Sequence, residues 1–422
     1  MKRNDFATFL TYVIMFVLAL CAGLFWIRDL AGDYSGVEGG VSPVLVIILS
    51  IVAGILLNSL LLELGHLLGA KIGHYRVLTF VVLYFGFKRK EDGKKKFGFQ
   101  TFNGLTGETK VAPKDAEKSS LGSYIVMPLL LFLVEVVLMV VLFAVGGRAV
   151  ESGQATAGWL PLFAACCLVV GGMVYIYDYI PAHLDSPTDG YLMILLSKRI
   201  NKKAYNDILL AEEARFYEKP LPEPVVYDEL TDLTFTLNLA CAYSLLKKGS
   251  EAQAIAILNK AIESDKLSNS SVCEATSMKL SLLLSRSNKK EGVDMYSELK
   301  DSAKKYISNV SSPSALRCYV LISGLLEESE TEANFALDKV EKVYKQVEKE
   351  NLDYERKSLE LAIASVKKAH PTWELPDLPW AAKKEEPKAE ASEAKDASAK
   401  PTETKLTEEK PEEPKQGEDE SK

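Results

Sequence analysis

Four stretches of this 422-residue chain are apolar over about 20 residues or more, the length that a helix needs to cross the hydrocarbon core of a membrane. They are Phe6–Ile27, Pro43–Leu68, Leu121–Gly146 and Ala157–Ile180. A backbone in hydrocarbon has no water to bond, so each stretch is expected to be a helix. The sequence therefore predicts an all-α membrane protein with a core of four transmembrane helices.

The distribution of lysine and arginine predicts the orientation of these helices. The segment between the second and third stretches is rich in both residues, whereas the segments after the first and third stretches are poor in them. Basic segments stay in the cytoplasm, so both termini are predicted to be cytoplasmic. The first stretch lacks an Ala-x-Ala cleavage site and is longer than a signal-peptide core, which favours a retained helix. Scattered cysteines without a CxxC spacing suit a reducing compartment and a bacterial plasma membrane.

The second apolar stretch ends in a motif that carries chemistry. Residues 58–73 read NSLLLELGHLLGAKIG, and their frame matches the zinc motif His-Glu-x-x-His except in its first position. Glu63 and His66 are present, and Leu62 stands where the first histidine of the motif would be. An aliphatic side chain has no lone pair to offer a metal, so the motif keeps a carboxylate and one of its two imidazoles.

A second group of metal-ligand type is predicted at the same membrane depth. The fourth apolar stretch is followed by Thr-Asp-Gly-Tyr, which contains Asp189. The predicted topology puts His66 at the cytoplasmic end of the second helix and Asp189 just beyond the cytoplasmic end of the fourth. We therefore expect these two side chains to lie at one level of the membrane.

Between the two motifs, residues 77–102 are predicted to form an interfacial β-hairpin. Aromatic and β-branched runs flank Asp92-Gly93, a pair that is typical of a two-residue hairpin turn. One interpretation is that an edge of this hairpin binds an extended peptide by strand addition. The other is that its aromatic residues and lysines only rest on the lipid boundary and its anionic headgroups.

Together, LELGHLLGAKIG, the hairpin and Thr-Asp-Gly-Tyr resemble the site-2 protease family of intramembrane zinc metalloproteases, over residues 43–200. The resemblance implies that Glu63 is the general base, His66 the second zinc ligand and Asp189 the carboxylate ligand. It also implies that Leu62 replaces the first zinc ligand. The chain thus resembles a degenerate member of the family.

The lost ligand leads to the expectation that no zinc is bound, because a catalytic zinc normally keeps three protein ligands. The alternative is an active protease with a rearranged set, in which His183 approaches His66 and replaces the missing ligand. Asn58, one turn before Leu62, and Glu135, in the middle of the third apolar stretch, are candidates for substrate binding.

The rest of the chain is predicted to be soluble. Residues 204–375 show helical patterns, clearest over Leu233–Asp265, with interhelix turns that recur at about 40 residues. They resemble tetratricopeptide-like repeats, which present a concave surface for a cytoplasmic protein partner. The other interpretation is a helical bundle that binds nothing. Residues 381–422 are almost purely charged and small, so they are predicted to form a disordered tail.

Three functions are compatible with this sequence. The first is a proteolytically inactive membrane protein that binds or presents a membrane-protein substrate and recruits a partner through its repeats. The second is an active intramembrane zinc metalloprotease. The third is a membrane-anchored scaffold with no role for the protease-like core, residues 43–200. Because acidic residues outnumber lysines in the tail, nucleic acid is not expected as a partner.

Overall fold

The computed structural model describes residues 3–36, 39–102, 106–154, 156–181, 187–286 and 289–381. The chain divides into two compact units, residues 1–376 and residues 377–422. The second unit is described only over residues 377–381, which contain no helix or strand. The predicted tail therefore lies almost wholly outside the described residues, as does His183. The first unit is mostly helical and contains the candidate site.

Four helices in the described part of the chain are long and apolar enough to cross a membrane. The first joins α1 (Arg3–Ala22), a π-helical turn and α2 (Arg28–Ser35), and the others are α3 (Pro43–Ile72), α4 (Gly122–Glu151) and α5 (Leu160–Tyr179). The four predicted membrane helices are thus confirmed as apolar helices of spanning length. The first helix runs on to Ser35, through residues that the sequence predicted as a loop.

Small residues let α3 and α4 approach closely. A Cβ atom added to Gly65 would lie 2.5 Å from the Cα atom of Pro128, and one added to Gly69 would lie 2.3 Å from the carbonyl oxygen of Ser123. Helices in lipid gain little from burying apolar side chains against each other, and close backbone approach is the usual source of their packing energy. These two glycines flank His66 on α3, so the same contact that joins the helices also fixes the position of the motif.

Between α3 and α4, the residues that the structure describes form six short strands rather than one hairpin. They are β1 (Tyr75–Val77), β2 (Thr79–Val82), β3 (Phe85–Arg89), β4 (Lys95–Phe99), β5 (Gly107–Glu108) and β6 (Val111–Pro113). A four-stranded antiparallel sheet has the order β4-β3-β2-β5, and β1 pairs with β6. The prediction of a hairpin over residues 77–102 was therefore incomplete, because the range holds three strands and a fourth joins them from later in the chain.

The predicted turn at Asp92-Gly93 is also longer than expected. The Lys90 amide donates to the carbonyl oxygen of Lys94 at 2.8 Å, and the Gly93 amide donates to that of Lys90 at 3.0 Å. The loop between β3 and β4 is therefore Lys90 to Lys94, and the Lys90–Lys94 hydrogen bond encloses the three residues Glu91 to Gly93. Gly93 has a φ of +82°, a conformation that glycine adopts without steric cost.

After α5 the chain forms two helices that remain part of the site region, α6 (Asp189–Leu195) and α7 (Arg199–Phe216). Helix α7 packs on β6. The hydroxyl of Tyr75 donates to Asn206 Oδ1 at 2.6 Å, and Asn206 Nδ2 donates to the carbonyl oxygen of Ala116 at 2.9 Å. The predicted boundary between the protease-like core, residues 43–200, and the helical-repeat region, residues 204–375, falls inside α7. This one helix therefore begins in the first predicted region and ends in the second.

The remaining helices form the α8–α16 region. They are α8 (Asp232–Lys247), α9 (Glu251–Ile262), α10 (Asn269–Leu284), α11 (Lys290–Ser297), α12 (Asp301–Ser308), α13 (Pro313–Leu325), α14 (Glu330–Leu337), α15 (Val340–Tyr344) and α16 (Lys349–Ala369). The helical pattern predicted over Leu233–Asp265 is confirmed as α8 and α9. Helix α13 packs between α10 and α16 at the centre of this region.

Candidate functional site

Glu63 and His66 lie on the buried face of α3, where only 3% and 6% of their surfaces are exposed. His66 Nε2 lies 2.9 Å from Asp189 Oδ2, at hydrogen-bond distance. Asp189 is the first residue of α6, and the hydroxyl oxygen of Thr188 caps this helix by accepting the amide hydrogen of Tyr191. The structure thus brings His66 and Asp189 together across 123 residues of sequence, as the predicted topology requires.

A third ligand-type side chain, Asp178, completes the group. It lies in the last turn of α5, and its Oδ2 atom is 4.0 Å from His66 Nε2. One ligand atom from each of His66, Asp178 and Asp189 lies within 4.8 Å of the other two. Asp178 was not among the site residues predicted from the sequence. The sequence did contain a signal for this residue. A carboxylate inside an apolar membrane stretch is energetically costly and usually has a function.

Glu63 lies on the other side of the imidazole. Its Oε2 atom is 3.6 Å from His66 Nδ1 and accepts a hydrogen bond from the hydroxyl of Thr109 at 2.6 Å. A Cβ atom added to Gly107 would lie 2.9 Å from Glu63 Cγ and 2.1 Å from the carbonyl oxygen of Val81. Only glycine therefore lets β5 lie directly on the Glu63 side chain. We call Glu63, His66, Asp178 and Asp189 the polar cluster.

The position of the missing ligand is filled by an apolar contact. Leu62 is buried against Val174 and Tyr175 of α5, and it offers the polar cluster no donor atom. Its side chain nevertheless lines the same cavity as His66. A metal-binding side chain introduced at residue 62 would therefore lie in the same cavity wall as His66.

The two predicted substrate-binding residues lie elsewhere. Asn58 is buried between α3 and α5, where its Nδ2 atom donates to the carbonyl oxygens of Gly54 at 2.9 Å and Cys167 at 3.3 Å. Glu135 is buried on α4 next to Asn58. Neither residue is among those that line the cavity. A role of these two residues in substrate binding therefore stays a prediction.

The polar cluster forms one wall of a cavity of about 760 Å³. Residues 106–111, which include β5 and the start of β6, form a second wall. Helix α7 supplies the far end with Tyr205, Leu209, Glu212, Arg215 and Phe216. The participation of α7 could not be predicted from its sequence, which is that of an ordinary charged soluble helix.

Aromatic and charged groups shape the cavity. The ring of Tyr124 stacks on the His66 imidazole with centroids 4.5 Å apart, and its hydroxyl donates to the carbonyl oxygen of Thr109 at 2.9 Å. Burial raises the pKa of Glu212 at the far end, while the nearby charges of Lys110 and Arg215 act in the opposite direction. The cavity thus runs from a buried polar end to an end that carries charges of both signs.

The donor atoms fit a zinc ion, the metal that the family resemblance implies, in type and in spacing. Two donors that are each about 2.1 Å from a tetrahedrally coordinated zinc lie about 3.4 Å apart. The separations of His66 Nε2 from Asp189 Oδ2 and Asp178 Oδ2, 2.9 and 4.0 Å, lie on either side of that value. This set differs from that of the family in one ligand. The carboxylate of Asp178 stands where the family has the first imidazole of its motif.

No protein-family model, curated protein or solved structure matches this chain. The polar cluster, the cavity and the strand beside them are therefore the features from which a function can be inferred.

Proposed function

We propose that this chain is a membrane protein of the site-2-protease-like type whose core binds an extended segment of another membrane protein. The observation that carries the proposal is the position of β5. This strand lies at the edge of the sheet, lines the cavity, and touches the carboxylate-bearing side chain of Glu63 through Gly107. A polypeptide paired with β5 would pass beside the polar cluster.

The hydrogen-bond pattern of β5 supports strand addition. The Leu83 amide donates to the carbonyl oxygen of Thr106 at 2.9 Å, and Val81 pairs with Glu108. Hydrogen bonds alternate along an antiparallel ladder, so the amide and carbonyl of Gly107 point away from β2. Backbone groups that point away from the neighbouring strand can bond to an extended segment. Such bonds add affinity without requiring a fixed sequence in that segment.

The lead function is binding without cleavage. Leu62 removes one imidazole from the ligand set of the family, and binding of an extended segment at β5 needs no metal-activated water. In this interpretation Glu63 and His66 orient the bound segment as hydrogen-bonding groups. The α8–α16 region then recruits a protein partner, and we place both termini in the cytoplasm of a bacterial cell.

A second candidate is an active metallopeptidase with a rearranged ligand set. The observation that favours it is Asp178, which stands close to His66 and Asp189. A bound zinc would supply an activated water molecule, as it does in other metallohydrolases. Glu63, in the same cavity wall, would accept the proton of that water.

Disulfide trapping tests the binding function. Glu108→Cys places a thiol in the cavity wall on β5, and Lys96→Cys places a control thiol on β4, at the opposite edge of the sheet. Both variants carry Cys21→Ser, because Cys21 is exposed. The purified protein in lipid nanodiscs is mixed with single-span peptides that carry one cysteine at successive positions. We expect position 108 to trap alternate peptide positions, the period of a β-strand, and position 96 to trap none.

Equal trapping at both edges, or trapping without a period of two, would contradict strand addition at β5. A separate deletion tests partner recruitment and the scaffold alternative. It removes residues 219–375 rather than 204–375, because α7 forms part of the cavity. If the deleted protein still traps the peptide at position 108, the core binds its segment independently of the α8–α16 region.

A further inference from the structure

We propose that His66, Asp178 and Asp189 bind one divalent transition-metal ion, with Asp178 in the place of the imidazole that Leu62 removes. The proposal concerns metal binding by these three residues, and it holds whether or not a polypeptide binds at β5. It goes beyond the binding function above, because that function needs no metal.

Three separate elements bring the ligand atoms to one point. His66 comes from α3, Asp178 from the end of α5 and Asp189 from the start of α6. The capped first turn of α6 fixes the position of Asp189, and the glycine contacts of α3 with α4 fix that of His66. The two separations from His66 Nε2, 2.9 Å to Asp189 Oδ2 and 4.0 Å to Asp178 Oδ2, each lie within about 0.6 Å of the roughly 3.4 Å between two donors of a tetrahedral ion.

The lone pairs are available. Asp178 Oδ2 is buried and has no hydrogen-bond partner among the described residues. The Nε2 atom of His66 faces the two aspartates, so a neutral imidazole with its proton on Nδ1 would present a lone pair to the ion. The Nδ1 atom then lies beside Glu63 Oε2, at 3.6 Å. That distance is too long for a hydrogen bond. A closer approach of Glu63 would give Nδ1 the carboxylate partner that usually orients a metal-binding histidine.

Charge balance points in the same direction. The polar cluster holds three carboxyl groups and one imidazole, and Glu63, His66 and Asp189 are almost fully buried. Unpaired carboxylates in a low-dielectric region are costly. A divalent cation compensates the two aspartates and leaves Glu63 to its hydrogen bond with Thr109. A set of one nitrogen and two oxygen donors suits zinc and its first-row neighbours.

Metal analysis of the full-length protein in detergent tests the proposal. The protein is loaded with Zn²⁺, dialysed against metal-free buffer and analysed for zinc by mass spectrometry, and Co²⁺ loading gives a visible absorption band that reports coordination. We expect about one zinc per chain in the natural protein, as in a single-ion site. Asp178→Asn and Asp189→Asn should each weaken zinc binding by at least about 100-fold, because even the loss of an orienting partner costs 10–100-fold.

Two controls keep the result interpretable. Glu212→Gln removes a carboxylate from the far end of the same cavity and should leave the zinc content unchanged. Size-exclusion profiles and helical circular dichroism establish that each variant is folded. The proposal is overturned if the natural protein retains no zinc, or if a folded Asp178→Asn variant retains it. It is also overturned if His183→Ala, and not Asp178→Asn, abolishes binding.

Discussion

Two of the buried groups of charged side chains in the described part of the chain are built in opposite ways. In the α8–α16 region, Arg317 of α13 pairs with Glu355 of α16, and both side chains are at most 2% exposed. The hydroxyl of Tyr243 donates to Glu355 Oε1 at 2.6 Å. One cation faces one anion, and the carboxylate is also held by a neutral donor.

The polar cluster has no such balance. Three carboxyl groups surround one imidazole, and Asp178 Oδ2 and His66 Nδ1 have no hydrogen-bond partner in the described part of the chain. Arg317 Nη2 also lacks a hydrogen-bond partner there, but the charges of the Arg317–Glu355 pair cancel, so the pair needs no further ion. An unbalanced group in an apolar environment needs a cation or shared protons, and the metal site proposed above would supply the cation.

The largest effect is expected from breaking the balanced pair. Arg317→Met leaves Glu355 buried without its cation, and removal of one partner of a buried pair costs about 3–5 kcal/mol. We expect the opening free energy of α10, α13 and α16, measured by hydrogen exchange, to fall by that amount. The zinc content should not change.

Lys345→Met is the matched control, because its pair with Glu341 lies on the exposed surface. Exposed pairs contribute little to stability, so this variant should exchange like the natural protein. If Arg317→Met is no worse than the control, the pair does not hold the helices and the contrast between the two groups is lost.

The next effect comes from moving the third ligand back to the position it has in the family motif. Leu62 lies one helical turn before His66 and lines the same cavity. In an Asp178→Asn background, Leu62→His should restore zinc binding by about 100-fold, which offsets the ligand lost at residue 178. Zinc content and the Co²⁺ spectrum measure the restoration.

Leu62→Gln in the same background is the control, since an amide of similar size is a poor zinc ligand. Restoration by both substitutions would mean that the cavity binds zinc without a defined ligand at residue 62. Restoration by neither would mean that α3 cannot present this side chain to the ion.

A smaller effect is expected at Gly107. A Cβ atom there would lie 2.1 Å from the carbonyl oxygen of Val81, so Gly107→Ala must displace β5 from β2 or from Glu63. Such overpacking costs about 1–3 kcal/mol. We expect peptide trapping at position 108 to fall at least tenfold, since strand addition needs β5 in place. Gly172→Ala, where no heavy atom lies within 4 Å, should trap peptide normally.

The sequence predicted that His66 and Asp189 lie close together because the lengths of the apolar helices and the charges of their loops determine how the helices cross the membrane. That orientation in turn determines the membrane depth of each side chain. The sequence could not predict that β5 lies on Glu63. That strand has two residues, too few to show the alternation of apolar and polar residues that indicates a strand. Its position depends on contacts that Gly107 makes with β2 and α3. The role of α7 was missed for a similar reason, since Asn206 is 131 residues from its partner Tyr75.

The smallest effect tests the imbalance itself. In metal-free protein, Asp178→Asn removes one of three neighbouring carboxyl groups while it keeps the shape of the side chain. We expect this variant to be as stable as the natural protein or more stable by up to about 1 kcal/mol, the range of a single ordinary substitution, with a slightly higher Tm in chelator. With zinc present the order should reverse, because an ion that binds only the folded state stabilises only the protein that holds it. A variant that is less stable than the natural protein in chelator would show that Asp178 acts as a structural partner, as Glu355 does for Arg317. The two buried groups would then differ in composition but not in role.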